Sequence, residues 1–433
     1  MKLHRRQFLL GGAAFGALTP LLGRLSLAGQ ATQHKLIVVF ARGAWDVTYA
    51  FDPRAPGDPN VDGPWRQEQG GAIDYTNEEI ATIGDLVIGY NDKARPAVAD
   101  FFSEWADLSL VVNGISTETI VHDVARPRIL TGSRRIGDPD LAAIFGHVNQ
   151  GTAPIGYMDF ANQGFIGELG AASARVGSRG QLELLINDDI SGLPGPDWTY
   201  PLFQPNSTDH DAIQAWLQAR ESRYRDQWDN GGLSSDRLDD HAASRAAAED
   251  IRAASGPISD LLTLGQPLDI EAQIDLAVSL LMDDLCQSVL VDSGLPWDTH
   301  TDNVNQNNHF NALFNGLQYL ATQLGRSALE QQVTVVVLSE FTRTPKLNGD
   351  NGKDHWPVAS AMLFGAGVDG GRTIGQTGET LGAEPVNLST GEADSDGVVP
   401  DFGNLIAGIL AATGVDSEEF LPDTQPYTAI FGG

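Results

Sequence analysis

The chain has 433 residues, Asp plus Glu outnumber Lys plus Arg by 57 to 27, and the formal net charge is −30 with 42% hydrophobic residues. That hydrophobic share supports a large core and excludes disorder over most of the chain. The acidic balance argues against nucleic acid and anionic membrane as partners, since both need a basic footprint. A single cysteine, Cys286, excludes an intrachain disulfide and any metal site built from cysteine pairs.

Residues 1–28 read as an export signal. Arg5-Arg6 precede Gln7-Phe8-Leu9-Leu10 and a Gly/Ala/Leu run to Leu22, the twin-arginine (Tat) pattern. Ser26-Leu27-Ala28 offers small residues for a cut after Ala28. The apolar run, about 16 residues, is short for a membrane span; the alternative is an uncleaved anchor. The expectation is export by the Tat translocase to the periplasm or beyond, with no stable membrane insertion after cleavage, and one domain over residues 29–433.

Leu36–Ala41 is the first short continuous apolar run, the pattern of a strand buried on both faces. Similar runs are Leu108–Val112, Ser288–Val291, Val333–Leu338 and Ala361–Phe364. Helical patterns lie at Leu141–Val148, Ile270–Leu285, Phe310–Leu324 and Phe402–Ala412. Alternating strands and helices predict an α/β fold: a mostly parallel central sheet with helices on both faces. Residues 207–254 are rich in Ala, Arg, Gln and Glu and read as a helical insertion, about 200–258, that could cap a site. Segments 52–75 and 375–400, rich in Gly, Pro and Asp, read as loops.

In such sheets ligands bind beyond the C-terminal ends of the strands. Arg42-Gly43-Ala44-Trp45-Asp46 follows the first strand, and a loop leads from the second to His122-Asp123. Asp298-Thr299-His300 follows the third, and Ser339-Glu340-Phe341-Thr342-Arg343 the fourth, with Asp354-His355 beyond it. Neutral imidazole with carboxylate oxygen suits zinc or another divalent transition metal. Candidate ligands are therefore His122 with Asp123, Asp298 with His300, and Asp354 with His355; the alternative for Asp298 and Asp354 is loop capping through their own side chains. His147 falls on a helical pattern and reads as structural, whereas His309 stays a candidate, with a helix-face position as the alternative. Arg126 and Arg343 are candidates to bind an oxyanion with their planar fork, or to form salt bridges. Glu340 or Asp123 could orient a histidine.

These motifs together resemble the bacterial domain-of-unknown-function family numbered 1501. The resemblance rests on Arg42–Asp46, His122-Asp123 with Thr131-Gly132, Trp297-Asp298-Thr299-His300, Ser339–Pro345 and Asp354-His355-Trp356-Pro357. It implies the alkaline phosphatase and sulfatase superfamily, a metal-bearing alkaline-phosphatase-like core that hydrolyses phosphate or sulfate esters. Asp354-His355 looks like that superfamily's late ligand pair, and Asp298 and His300 like its earlier segment, with Asp302 a substitute. Asp46 resembles the first-strand acidic ligand. Counting back from Leu130-Thr131-Gly132 puts Arg126 on the sulfatase arginine and His122 on the nucleophile position, where sulfatases carry Cys or Ser. Three readings remain open: His122 is a metal ligand beside a metal-activated water, His122 accepts the phosphoryl group itself, or the fold has kept binding and lost hydrolysis.

The expected function is thus an exported, metal-dependent hydrolase of phosphate or sulfate esters. Zinc is the first choice of cofactor, as one or two ions. His122, Arg126, Glu340 and Arg343 are its expected catalytic residues, and a small or lightly charged ester its substrate. The alternative is a non-catalytic exported binding or assembly protein on the same fold. An exported redox accessory factor is a third reading, without a dinucleotide or haem motif to support it.

Overall fold

The computed structural model describes residues 34–431 apart from 65–66, 70–71, 75–76, 152, 170–172, 176–192, 195–200, 204–206, 229–232 and 255–267. The expected Tat signal at 1–28 lies outside the described residues, as do parts of the 200–258 insertion.

The central sheet has eight strands. From one edge they are Arg372–Ile374, Ser109–Ser116, Val358–Gly365, Val333–Leu338, Lys35–Phe40, Ser288–Asp292, Tyr157–Asp159 and Ser173–Arg175. Seven run the same way, and Val358–Gly365 alone is antiparallel to both neighbours. At the centre Val38 sits opposite Leu290 on one side and Val336 on the other.

The period-two geometry of a strand sends alternate side chains to opposite faces. Ile37 and Val39 join a core with helices Pro96–Trp105, Ile270–Met282 and Gln306–Arg326. Leu36, Val38 and Phe40 join a second core with helices His122–Thr131, Leu141–Val148 and Phe402–Ala412. The sheet is therefore covered on both faces, as the unbroken apolar strands predict. Each fully buried Val, Leu, Ile or Phe contributes about 1.5–3 kcal/mol of transfer free energy.

The insertion is a pair of helices, Ser207–Trp228 and Leu233–Ala254, tied by Arg225–Asp239 and Arg245–Glu221 ion pairs. Ile251 of the second helix is buried in the first core.

Several elements differ from expectation. The expected loop at 52–75 carries a small antiparallel pair, Gln67–Gln69 with Ala72–Asp74. The helix expected over 270–285 stops at Met282, after which Asp284 takes a left-handed φ of 52°. Helix His122–Thr131 has no clear apolar stripe in sequence, and Pro127 inside it removes a helix hydrogen bond. It packs through Ala125, Ile129 and Leu130.

Candidate metal centre

Four loops meet at one edge of the sheet. Three follow the C-terminal ends of the strands ending at Phe40, Asp292 and Leu338, and the fourth leads from Ser116 to His122. His355 reaches the same edge by the opposite logic. It stands just before the reversed strand Val358–Gly365, whose entry lies where its neighbours exit.

Two glycines let these loops touch. Gly43 has φ of 120°, and a Cβ there would lie 3.0 Å from the Asp298 amide nitrogen. A Cβ on Gly352 would lie 1.9 Å from the His300 carbonyl oxygen, so only glycine brings the 348–355 loop against the His300 loop.

The result is a convergence of side-chain atoms. His355 Nε2 lies 3.1 Å from His122 Nε2, 2.9 Å from His300 Nε2 and 3.3 Å from Asp298 Oδ1. Asp298 Oδ1 is 3.1 Å from His300 Nε2 and 3.6 Å from His122 Nε2. His122, Asp298 and His355 satisfy the spacing of a metal-binding group, and His300 adjoins it. These residues are far apart in sequence, with His122 and His355 separated by 233 positions.

The opposite nitrogen of each ring has its own acceptor. His122 Nδ1 faces Glu340 Oε1 at 2.8 Å, His300 Nδ1 faces Asp354 Oδ1 at 3.0 Å, and His355 Nδ1 faces the Ile120 carbonyl at 2.7 Å. Acceptors at Nδ1 place the proton there and leave Nε2 with a lone pair. Three lone pairs then point at one another, an arrangement that repels unless a cation or proton lies between them. Outer partners of this kind fix tautomer and ring orientation at metal sites.

The surroundings hold this geometry. Glu340 is fully buried and accepts both from His122 and from the Gly43 amide, at 2.9 and 3.0 Å. The Phe341 ring packs against His122 and His355, with centroids 4.8 Å from each. Arg343 is fully buried; it donates to the carbonyls of Gly43, Ala44, Trp297 and Lys353 and to Asp298 Oδ1 at 2.7 Å.

The titration shifts follow these contacts. The Glu340 hydrogen bond raises the His122 pKa, whereas burial lowers that of His355. Burial pushes the Asp298 carboxyl up, but the Arg343 bond and charge, with His355 and His122, outweigh it and hold it at about 2. Asp298 is thus a fixed anion at neutral pH.

Among the expected site residues, His122, Asp298, His300 and His355 come together, with Asp354 and Glu340 behind them. Asp46 does not join. Its carboxylate is fully buried against Thr48, Asn303 and Lys353. The Arg343 fork is bound to backbone carbonyls and to Asp298 rather than turned to the open side, because the Gly43 and Trp297 loops close over it. Arg126 stands one turn after His122, bonded to Gln163 Oε1 at 2.8 Å and 3.6 Å from Asp123. Sequence reasoning missed Lys353, Asn303 and Phe341. Phe341 lay inside a motif already singled out, and Lys353 directly precedes Asp354-His355.

Glu340→Gln is expected to weaken zinc binding by about 10–100-fold, the usual effect of removing an outer partner. Competition with a chromophoric chelator reads this directly, and an unchanged affinity would make Glu340 a packing residue only.

An open, mostly parallel α/β sheet with a histidine–aspartate cluster beyond its strand ends defines an α/β protein with a candidate metal centre. The chain belongs to the family described as protein of unknown function DUF1501, whose model matches residues 207–425, a little over half of its length. No curated protein matches it. Similar solved structures include Ps i-CgsB in complex with k-i-k-neocarrahexaose, at 10% identity over 92% of this chain and 75% of that one, TM-score 0.41. Another is the lipoteichoic acid synthase LtaP from Listeria monocytogenes, at 9% identity over 94% and 76%, TM-score 0.36. A third is a protein in the alkaline phosphatase superfamily from Vibrio parahaemolyticus, at 8% identity over 88% and 67%, TM-score 0.36.

Proposed function

We propose that this protein is an exported, metal-dependent hydrolase of phosphate or sulfate esters. The observation that carries the reading is the meeting of three imidazole Nε2 atoms with Asp298 Oδ1, each ring held from behind. Imidazole and carboxylate are the donors zinc prefers, and the four groups fit it. A divalent ion held there supplies Lewis acidity and lowers the pKa of water.

The chain's own residues then have distinct tasks. His122, His300, His355 and Asp298 bind the ion. Glu340, Asp354 and the Ile120 carbonyl keep each imidazole proton on Nδ1. Arg343 holds Asp298 ionised and in place. Arg126, at the same mouth of the helix as His122, is the residue to meet an ester oxyanion. Both nitrogens of His122 are engaged, which favours its role as a ligand over that of a phosphoryl acceptor. Export is supported by Arg5-Arg6 and the apolar run behind them; among the described residues no helix is long and apolar enough to cross a membrane.

A second reading, a non-catalytic exported binding or assembly protein, is favoured by one observation. Among the described residues no Ser, Thr or Cys side chain bonds to His122, Asp298, His300 or His355. The two readings separate on a panel of aryl phosphate mono- and diesters and aryl sulfates, assayed with zinc-loaded mature protein. Turnover that a chelator abolishes and zinc restores is expected. A fully metal-loaded protein that turns over none of them would move the conclusion to the second reading.

A further inference from the structure

We propose that the cleft between helices Ser207–Trp228 and Leu233–Ala254 is a binding site for a small organic anion, one that joins an oxyanion group to a flat apolar body. The site is separate from the metal centre and does not depend on it.

The spacing of the residues builds the cleft. Leu217, Arg220, Glu221 and Tyr224 follow at i, i+3, i+4 and i+7 on the first helix and so share one face. Arg237, Leu238 and His241 meet them from the second helix. The ion pairs Arg225–Asp239 at 2.7 Å and Arg245–Glu221 at 3.2 Å hold the two helices together. The cleft has a volume of about 650 Å³, the size of a small-molecule site.

Its charge is the reverse of the chain's. Acids outnumber bases by 57 to 27 overall, yet this cleft is lined by two guanidiniums and an imidazole against one carboxylate. That carboxylate, Glu221, is already engaged, its Oε1 by Arg225 and its Oε2 by Arg245, both at 3.2 Å. Among the described residues no carboxylate pairs with Arg220 or Arg237. The cleft is thus left with uncompensated positive charge, which an anion fits.

Arg220 is also set in place. Its guanidinium carbon lies 5.4 Å from the ring centroids of both Trp216 and Tyr224, one turn before and one turn after it. This orders a planar fork that suits a carboxylate, sulfate or phosphate group. The rest of the wall is apolar: Leu217 and Leu238 are half-buried, and the Tyr224 ring is exposed. An inorganic anion would use the guanidiniums and leave this wall wet, whereas a ring attached to the anion covers it. An anionic polymer fits less well, because its further charges would meet the acidic surface.

The test is calorimetric titration of the full chain with naphthalenesulfonate, with inorganic sulfate and naphthol as controls. We expect one site per chain for the sulfonate, at least about tenfold tighter than either control. Arg220→Gln and Arg237→Gln should each weaken it by about tenfold, the usual worth of a charge-assisted hydrogen bond. Zinc-loaded and chelator-treated protein should bind it equally. Both arginines are exposed and pair with no carboxylate, so these substitutions leave the fold intact, which circular dichroism checks. No binding to the folded wild type, equal binding of naphthol or sulfate, or full affinity in both arginine variants would overturn the proposal. So would a loss on chelation that the arginine variants do not share, since the sulfonate would then sit at the metal centre. None of these outcomes counts against the metal reading.

Discussion

Arg343→Met is expected to lower stability by about 3–5 kcal/mol, because several buried carbonyls lose their donor together. Methionine fills much of the volume but offers no donor. The carbonyls of Gly43, Ala44, Trp297 and Lys353 would each lose a partner inside the fold. An orphaned buried acceptor costs about 1–3 kcal/mol. Asp298 is about half exposed, so water relieves part of its loss and the backbone carbonyls dominate. Arg343→Lys is expected to rescue little, because a point charge with three donors cannot match a planar fork that serves several loops. The urea midpoint with unchanged slope measures both variants. A loss under about 1 kcal/mol in Arg343→Met would mean that water replaces the guanidinium, and Arg343 would no longer count as the clamp between the loops.

His355→Ala is expected to abolish stabilisation by zinc. His355 Nε2 is the atom within 3.3 Å of all three other donors, so its removal opens the cluster at its middle. In the wild-type protein, zinc at a hundredfold excess over its dissociation constant should add about 2.7 kcal/mol to stability, seen as a rise in Tm. The variant should show no rise, with its Tm close to that of the chelator-treated wild type. The effect has a pH sign. A protonated imidazole cannot ligate, and Glu340 raises the His122 pKa above its ordinary value. The zinc increment is therefore full above that raised pKa and disappears as pH falls through it. An equal zinc-induced shift in His355→Ala would place the ion elsewhere.

Much of the architecture was legible in the residues. The strands at 36–41 and 333–338 are continuous Val/Ile/Leu runs because they are buried on both faces, and this pattern needs no tertiary information. Helix Leu141–Val148 was equally plain, with Asp140 capping the Ala143 amide at 2.8 Å. The reversal of Val358–Gly365 was not legible. An apolar run states that a strand is buried but not which way it runs, and the reversal is what brings His355 to the edge used by the other loops. Helix His122–Thr131 was hidden by Pro127 and by polar residues on every side.

At the site, residue type was informative and pairing was not. The Asp-His doublets stood out in a chain with few histidines, and those at 298–300 and 354–355 do face one another, whereas Asp123 turns to Arg126. Asp46 and Arg343 looked like their neighbours in sequence, yet one meets a lysine and the other meets carbonyls. Lys353 and the carbonyl of Ile120 carry no sequence signal of their own, since their parts are set by loops that meet only in three dimensions.

The distance along the chain between the ligands has a kinetic consequence. His122 is separated from His355 by 233 residues, and the strands between and around them must all be laid down before the two rings can meet. An unfolded chain therefore presents no partial site of comparable affinity, and loop closure over such separations comes late. A metal that binds only the finished arrangement cannot template the early steps. It acts as a latch, leaving the folding rate nearly untouched and slowing the escape from the native state. In this protein an ion held at the cluster would secure a structure that the sheet has already built.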